Sequence, residues 1–304
     1  MSQDQLMIQN IKLDLSFYNG EDLYSDGDIE DEILEIVKKA NDYDKYINES
    51  DRFEIFYHLS REREMIVQPM DISLSENVLE VGAGCGAITG ALARKAKNVD
   101  CIELSKKRSL INAYRNRKYN NLKIYVGNYE DIQIDKQYDV ITLVGVLEYA
   151  GCYVKGENPY ENMLKNLKNK LCEHGKVYIA IENRLGMKYF AGCKEDHYGK
   201  EFVGIEGYYD SSSIKTFSYY ELVELIKRTG FSEYTFFYPF PDYKFPHKIY
   251  SDEYLPQKGD LQEIGTNYTS SRWCAFDERK AFDSLFMREE FKIFSNSFLV
   301  ELKK

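Results

Sequence analysis

Val78-Leu79-Glu80-Val81-Gly82-Ala83-Gly84-Cys85-Gly86-Ala87-Ile88-Thr89 reads as a buried strand that breaks into a glycine turn and opens a helix. Leu79 and Val81 lie in an apolar run of strand type, and glycines at alternate positions let the backbone turn tightly and lie against a ligand. The helix expected over Ala87 to Lys97 points its free backbone N–H groups and positive dipole end back into that turn. The stretch is a nucleotide cradle. Gly82, Gly84 and Ala87 also satisfy the looser dinucleotide pattern Gly-x-Gly-x-x-Gly/Ala, so the surroundings must decide which nucleotide it holds.

Outward from the cradle the chain alternates strand and helix, the pattern of a parallel sheet with helices on both faces. A second strand over Val99 to Leu104 places Glu103 about 20 residues beyond the glycine turn, where a carboxylate can accept both ribose hydroxyls. A third strand, Leu122 to Val126, runs into Gly127-Asn128-Tyr129, with Tyr129 a candidate to stack on a base. The fourth, Tyr138 to Val144, is apolar almost throughout, as suits a strand covered on both faces. Gly145 to Tyr149 follow its carboxyl end, the side on which open α/β sheets bind ligands. Lys176 to Ile181 is the fifth strand.

The run Glu80-Val81-Gly82-Ala83-Gly84-Cys85-Gly86 resembles motif I of the class I S-adenosylmethionine (SAM)-dependent methyltransferases. The resemblance extends over about residues 50–238 and 296–302. It implies a Rossmann-like α/β fold with a sheet of seven strands, helices on both faces, and SAM as cofactor. In that family the acid two places before the first glycine lies near the cofactor's amino-acid end. SAM carries an ammonium and a sulfonium, so a carboxylate at Glu80 suits it better than it suits a dinucleotide pyrophosphate. The cofactor residues so implied are Glu80, Gly82, Ala83, Gly84, Gly86, Glu103, Leu104, Asn128, Tyr129, Val144 and Gly145. The family usually has an acid where this chain has Asn128, although an amide can still accept the adenine amino group's hydrogen bond. Glu182-Asn183-Arg184-Leu185-Gly186, Glu195-Asp196-His197-Tyr198-Gly199 and Pro239-Phe240-Pro241-Asp242-Tyr243-Lys244 look like elements of bacterial enzymes associated with surface-glycan or secondary-metabolite assembly.

Residues 1–50 are acidic and polar around one short amphipathic run, Ile33 to Val37, and read as an N-terminal arm outside the core. The resemblance implies that residues 51–304 form a methyltransferase domain, in which 183–218 reads as a glycine-rich substrate loop. A sixth strand over Ser232 to Tyr238 and a seventh over Ser297 to Leu302 are separated by an insertion, 239–294, with a short helix around Lys280 to Phe286. That insertion is a candidate substrate wall or oligomer contact.

The net charge of −10 opposes unaided binding to nucleic acid. No run approaches the roughly 18 uninterrupted apolar residues of a membrane helix. Met1 to Leu15 lacks the basic start and apolar core of a signal peptide, and the six cysteines contain no Cys-x-x-Cys pair, so the expectation is a cytoplasmic protein with reduced thiols. The 26 tyrosines and 17 phenylalanines serve the core, and their rings could also face a sulfonium.

Methyl transfer requires alignment of the acceptor with the methyl group, exclusion of water and, for a hydroxyl, removal of a proton. His197 on the substrate loop is the candidate base; the alternative is a loop histidine bonded to backbone. Glu182 and Asn183 at the tip of strand five are candidates to orient an acceptor, with Glu182 equally readable as the partner of Arg184. Tyr149 stands after strand four, where many relatives carry a histidine. His58, His174 and His247 take structural or surface roles, and no metal is expected. The reading is O-methylation of a small molecule such as a sugar or glycan precursor. Its alternatives are an N-methyltransferase acting on a small molecule or peptide, an NAD(P)-dependent oxidoreductase, and a non-catalytic SAM-binding subunit.

Overall fold

The computed structural model describes residues 4–209, 211–231, 233–263, 272–285 and 290–304. The chain divides into two compact units, Met1–Leu143 with Lys170–Gly175, and Val144–Asn169 with Lys176–Lys304. Ser232 and Phe286, at the edges of an expected strand and an expected helix, lie outside the described residues.

The first unit carries β1 (Gln5–Ile8), β2 (Ile11–Phe17), β3 (Asn77–Val81), β4 (Asn98–Glu103), β5 (Leu122–Gly127) and β6 (Tyr138–Val144), whose last residue passes into the second unit. Their order is β1-β2-β5-β4-β3-β6. β2, β5, β4, β3 and β6 are parallel, and β1 pairs antiparallel with β2. Val78, Leu79, Val99, Cys101, Ile102, Ile124, Val126, Val140, Ile141 and Leu143 are buried. They are the aliphatic interior of a sheet covered on both faces. The parallel run brings the carboxyl ends of β3, β4 and β5 to one edge.

Of the expected arm, residues 4–50 do not lie outside the core. They contribute β1, β2 and α1 (Ile29–Lys39), and β2 extends the sheet along β5. Ile29, Ile33, Ile36 and Val37 of α1 pack with Tyr43, Ile55, Leu59, Cys85 and Ile111, the last on α3 (Lys106–Arg115), which follows α2 (Thr89–Lys95). Each such aliphatic side chain contributes about 1.5–3 kcal/mol as an upper estimate. The acidic residues have specific partners on the basic helix. Arg108 of α3 donates from Nε to Glu30 Oε1 at 2.7 Å and from Nη2 to Asp26 Oδ2 at 2.7 Å. Asp22 accepts from the backbone N–H groups of Lys106 and Lys107 at 2.6 and 3.2 Å, capping that helix. Composition reads this charge as solvated because the partner helix lies some 80 residues away in sequence; Asp26 and Arg108 are 82 apart.

The second unit carries most of β7 (Leu171–Glu182), with β8 (Glu233–Phe240), β9 (Lys248–Ser251) and β10 (Ser297–Lys303), in the order β7-β10-β8-β9. β10 runs antiparallel to both β7 and β8. Among the described residues there are thus ten strands rather than seven, because β1, β2 and β9 add to the expected set. α4 (Pro159–Asn169) and α5 (Tyr219–Arg228) also belong to this unit. Between β8 and β10 the chain packs back on its own strands: Phe282 and Phe291 are buried, with Phe282 5.8 Å from the Phe240 ring and Phe291 5.5 Å from that of Tyr238. No helix is long and apolar enough to cross a membrane among the described residues.

Candidate functional site

In the first unit, β3 ends at Val81 and the chain turns through Gly82, Gly84 and Gly86 at φ +71°, +53° and +75°, a region other residues enter only under strain. The turn is tied to β4 by the N–H groups of Gly82 and Ala83, which donate to Ile102 O at 2.8 and 3.1 Å. Glu103 completes the link. Its Oε2 accepts from Gly84 N at 2.7 Å and its Oε1 from Ser105 N at 2.9 Å, which leaves each oxygen lone-pair capacity for a ligand hydroxyl. Burial raises its pKa despite those bonds. The glycines differ in role. A Cβ at Gly84 would meet no heavy atom within 4 Å, whereas one at Gly86 would collide with Asn112 Oδ1 and lie 2.7 Å from Asn116 Nδ2. Gly84 therefore borders open space and Gly86 abuts its own scaffold.

Glu80 braces the turn from beneath. Its Oε2 accepts from Thr89 Oγ1 at 2.7 Å; Asn112 Nδ2 donates to Thr89 Oγ1 at 3.1 Å, and Asn116 Nδ2 to Gly86 O at 3.3 Å. Burial pushes the Glu80 carboxyl up to about 7, against the hydrogen bonds from Thr89 and Cys101. An acid whose folded pKa lies above its unfolded value adds stability that is complete below pH 4.5 and is lost as the pH rises through 7. Glu80→Gln should therefore flatten the fall in stability between pH 4.5 and 7, by an amount of order 3 kcal/mol in urea denaturation. An unchanged pH profile would remove Glu80 as its source.

At the end of β5, Asn128 Oδ1 accepts from Glu130 N at 3.2 Å, and the buried Tyr129 hydroxyl has no hydrogen-bond partner. Leu104 is half-buried after β4. An open glycine face, an acid held by the turn and a buried hydroxyl awaiting a partner fit SAM bound along the ends of β3, β4 and β5.

The second unit gathers the expected catalytic residues. Val144 ends β6, and Gly145, at φ +69°, donates from N to Ala180 O at 2.9 Å. A Cβ at Gly145 would lie 2.8 Å from the Tyr243 hydroxyl. The short turn Leu147–Tyr149 then brings Glu148 inward, and β7 ends at Glu182. His197 is set by Glu195, whose Oε2 accepts from the backbone N–H groups of His197 and Tyr198 at 2.8 and 2.9 Å. Its Nδ1 lies 3.1 Å from the Tyr149 hydroxyl, with the rings 5.3 Å apart at 89°. Its Nε2 is 3.8 Å from Glu182 Oε2, an ion-pair distance beyond hydrogen-bond reach. Glu148 Oε2, Glu182 Oε2 and His197 Nε2 are all buried without a hydrogen-bond partner.

A chain of charges backs this group. Lys244 Nζ donates to Glu182 Oε1 and, at 2.7 Å, to Asp196 Oδ1; Lys188 Nζ lies 3.1 Å from Asp196 Oδ2 and 3.6 Å from Asp242 Oδ2. Burial raises Glu182, but Lys244 and His197 outweigh it and hold the carboxyl well below its usual range. Burial lowers His197, but Glu182, Glu148 and Glu195 outweigh it and take the imidazole to about 9. Glu148 is pushed to about 8, by burial first and the Glu182 charge second. The expectation of an imidazole near neutral pKa is therefore corrected: in the free protein His197 is an imidazolium, because three acids surround it.

Asn183 is also corrected. Its Nδ2 donates to Ile293 O and Ser295 O, both at 2.7 Å, and its Oδ1 accepts from Leu185 N at 3.0 Å. With the amide committed to backbone, it holds the turn after β7 rather than an acceptor. Nor is Arg184 the partner of Glu182: its guanidinium is bidentate to Glu221, at 2.6 and 3.0 Å. His58 pairs with Asp26 at 2.7 Å, and His247 with Glu263 at 2.7 Å in an exposed position. Lys188 and Lys244 escaped the sequence reading. Lys244 closes the Pro239-to-Lys244 element already noted there, and that element was the available signal.

Residues 79–177 match a family model described as a methyltransferase domain. No curated protein matches the sequence. Among solved structures, a SAM-dependent methyltransferase of Thermotoga maritima, described as a possible histamine N-methyltransferase, is 17% identical, with 86% of this chain and 98% of that one covered and a TM-score of 0.46. Phosphoethanolamine N-methyltransferase 1 of Haemonchus contortus is 11% identical with a TM-score of 0.48, and the match covers 91% of this chain but 48% of that one, so this chain spans about half its length. The N-methyltransferase NodS of Bradyrhizobium japonicum is 11% identical, with 84% and 98% covered and a TM-score of 0.44.

Proposed function

We propose that this SAM-dependent methyltransferase methylates a hydroxyl of a small polar acceptor, such as a sugar or a related metabolite. The observation that carries this reading is the trio of buried, unpartnered polar atoms on Glu148, Glu182 and His197. Buried polar atoms without partners are costly, and a ligand that satisfies them recovers that cost. When bound, SAM supplies an electrophilic methyl group on a sulfonium. Gly82, Ala83, Gly84 and Gly86 leave room for it, Glu103 takes the ribose hydroxyls, and Leu104, Asn128 and Tyr129 flank the base. Glu80 sets the turn, while Val144 and Gly145 are retained as cofactor contacts on the resemblance. Residues 183–218 supply the acceptor loop through His197. Glu182 Oε2 accepts the hydrogen bond, and then the proton, of the acceptor hydroxyl. His197, steadied by Tyr149, turns its buried Nε2 toward the same acceptor.

An amine acceptor is the second reading, favoured by the two buried carboxyls, which suit an ammonium. Isotope-labelled SAM and NMR of the methylated product separate an O-methyl from an N-methyl signal. An oligomer contact through 239–294 is supported by the exposed Tyr254 and Trp273, and a cytoplasmic setting by six free thiols.

The Glu182→Ala, His197→Ala double variant should lose at least about 100-fold in kcat/KM, measured as S-adenosylhomocysteine formation, while SAM affinity stays within a few-fold of wild type. Wild-type turnover in that variant would sink the assignment of these two residues. Calorimetry showing no SAM binding to the wild type would sink the cofactor reading as well.

A further inference from the structure

We propose that Glu148, Glu182 and His197 form a binding site for one divalent cation of the manganese type. One ligand atom from each residue lies within 4.8 Å of the other two. Two of the unpartnered atoms, Glu182 Oε2 and His197 Nε2, are 3.8 Å apart, a separation that two ligands with bonds of about 2.1 Å span on a single ion. All three side chains are at least nine-tenths buried, so their idle atoms are not solvated surface groups.

The surroundings orient these ligands as supports behind a metal site do. Lys244 engages Oε1 of Glu182 and leaves Oε2 turned to the cluster. An ion at Nε2 displaces the proton that the imidazolium carries there, and the Tyr149 hydroxyl, 3.1 Å from Nδ1, is placed to accept a hydrogen bond from the N–H that remains. Glu195 pins the backbone on which the imidazole sits. Two carboxylates balance the charge of a divalent ion. One imidazole with two carboxylates suits Mn²⁺ better than Mg²⁺, which prefers oxygen, or the thiolate-seeking softer ions. Three protein ligands leave coordination positions open, and an acceptor hydroxyl taking one would become more acidic. The competing occupant is a buried water bridging the same three atoms.

The site lies wholly within the second unit and is testable without SAM or an acceptor. Chelator-treated protein should bind one Mn²⁺ per chain in calorimetry. Its pulsed electron paramagnetic resonance spectrum should carry a nitrogen coupling from the His197 ring. Glu148→Gln and His197→Gln should each weaken Mn²⁺ at least about 10-fold, the latter abolishing the nitrogen signature, and Tyr149→Phe about 10-fold. SAM affinity and the unfolding midpoint report whether each variant is folded. Failure of the wild type to bind Mn²⁺, or equal binding in Glu148→Gln and His197→Gln, would overturn the proposal and leave water as the occupant. SAM binding in that same sample would still support the methyltransferase reading, so the two can fail separately.

Discussion

Gly84→Leu should cost at least about 100-fold in SAM affinity, roughly 2.7 kcal/mol, while the protein stays folded. The two halves of that expectation have separate causes. Gly84 sits at φ +53°, so any side chain adds backbone strain of about 1–2 kcal/mol. Its Cβ direction is clear of heavy atoms to 4 Å, so a side chain starts there without a clash and leucine extends into the space proposed for the ligand. Gly86→Ala makes the contrast. There the new Cβ meets Asn112 and Asn116, the residues bonded to Thr89 and to Gly86 O, so stability falls first and SAM affinity falls with it. Calorimetric titration with SAM alongside urea denaturation separates these outcomes. A Gly84→Leu protein that binds SAM within about threefold of wild type, a difference under 1 kcal/mol, would show that the cradle opens elsewhere.

Lys244→Met should destabilise the protein by about 3–5 kcal/mol. Lys244 is largely buried and bridges Glu182 and Asp196, and Lys188 alone cannot neutralise both. Removing one member of such a network strands its partners as uncompensated charges, which costs far more than an exposed ion pair contributes. The loss depends on pH. Glu182 titrates near 2 in the folded protein against 4.5 as a free side chain, so it adds stability above pH 4.5 that drains as the pH falls toward 2. The gap between wild type and variant should be widest above about pH 5 and should close in acid, where Glu182 is protonated in both. A variant as stable as wild type at pH 7 in urea denaturation would mean that water, rather than Lys244, compensates these acids.

The cradle was readable because its determinants are local. Three alternating glycines at positive φ, an apolar strand before them and a helix after them lie in consecutive residues, and each constrains only its neighbours. Glu103 was readable for a related reason: the parallel pairing of β3 and β4 places its side chain where Gly84 N reaches it, at 2.7 Å. The acidic N-terminal residues were misread because charge along a chain says nothing about where the opposite charge folds. Asp26 and Glu30 looked solvated until Arg108 on a helix of the same unit took both.

The second cluster was only partly readable. Glu182 and His197 stood out by following a strand end and by lying on a glycine-rich loop, yet their ionisation depends also on Glu148 and Lys244, which arrive from other elements. Asn183 looked equally placed beside Glu182, but only the fold shows its amide bonded to Ile293 O and Ser295 O. The α/β class and the glycine turn after β3 are written in short stretches of the chain, because steric limits on φ and ψ and the alternation of strand with helix act over a few residues. The tertiary structure decided which acids are paired, which are buried without partners and which side chains meet, because electrostatics and desolvation depend on distances that chain order does not encode.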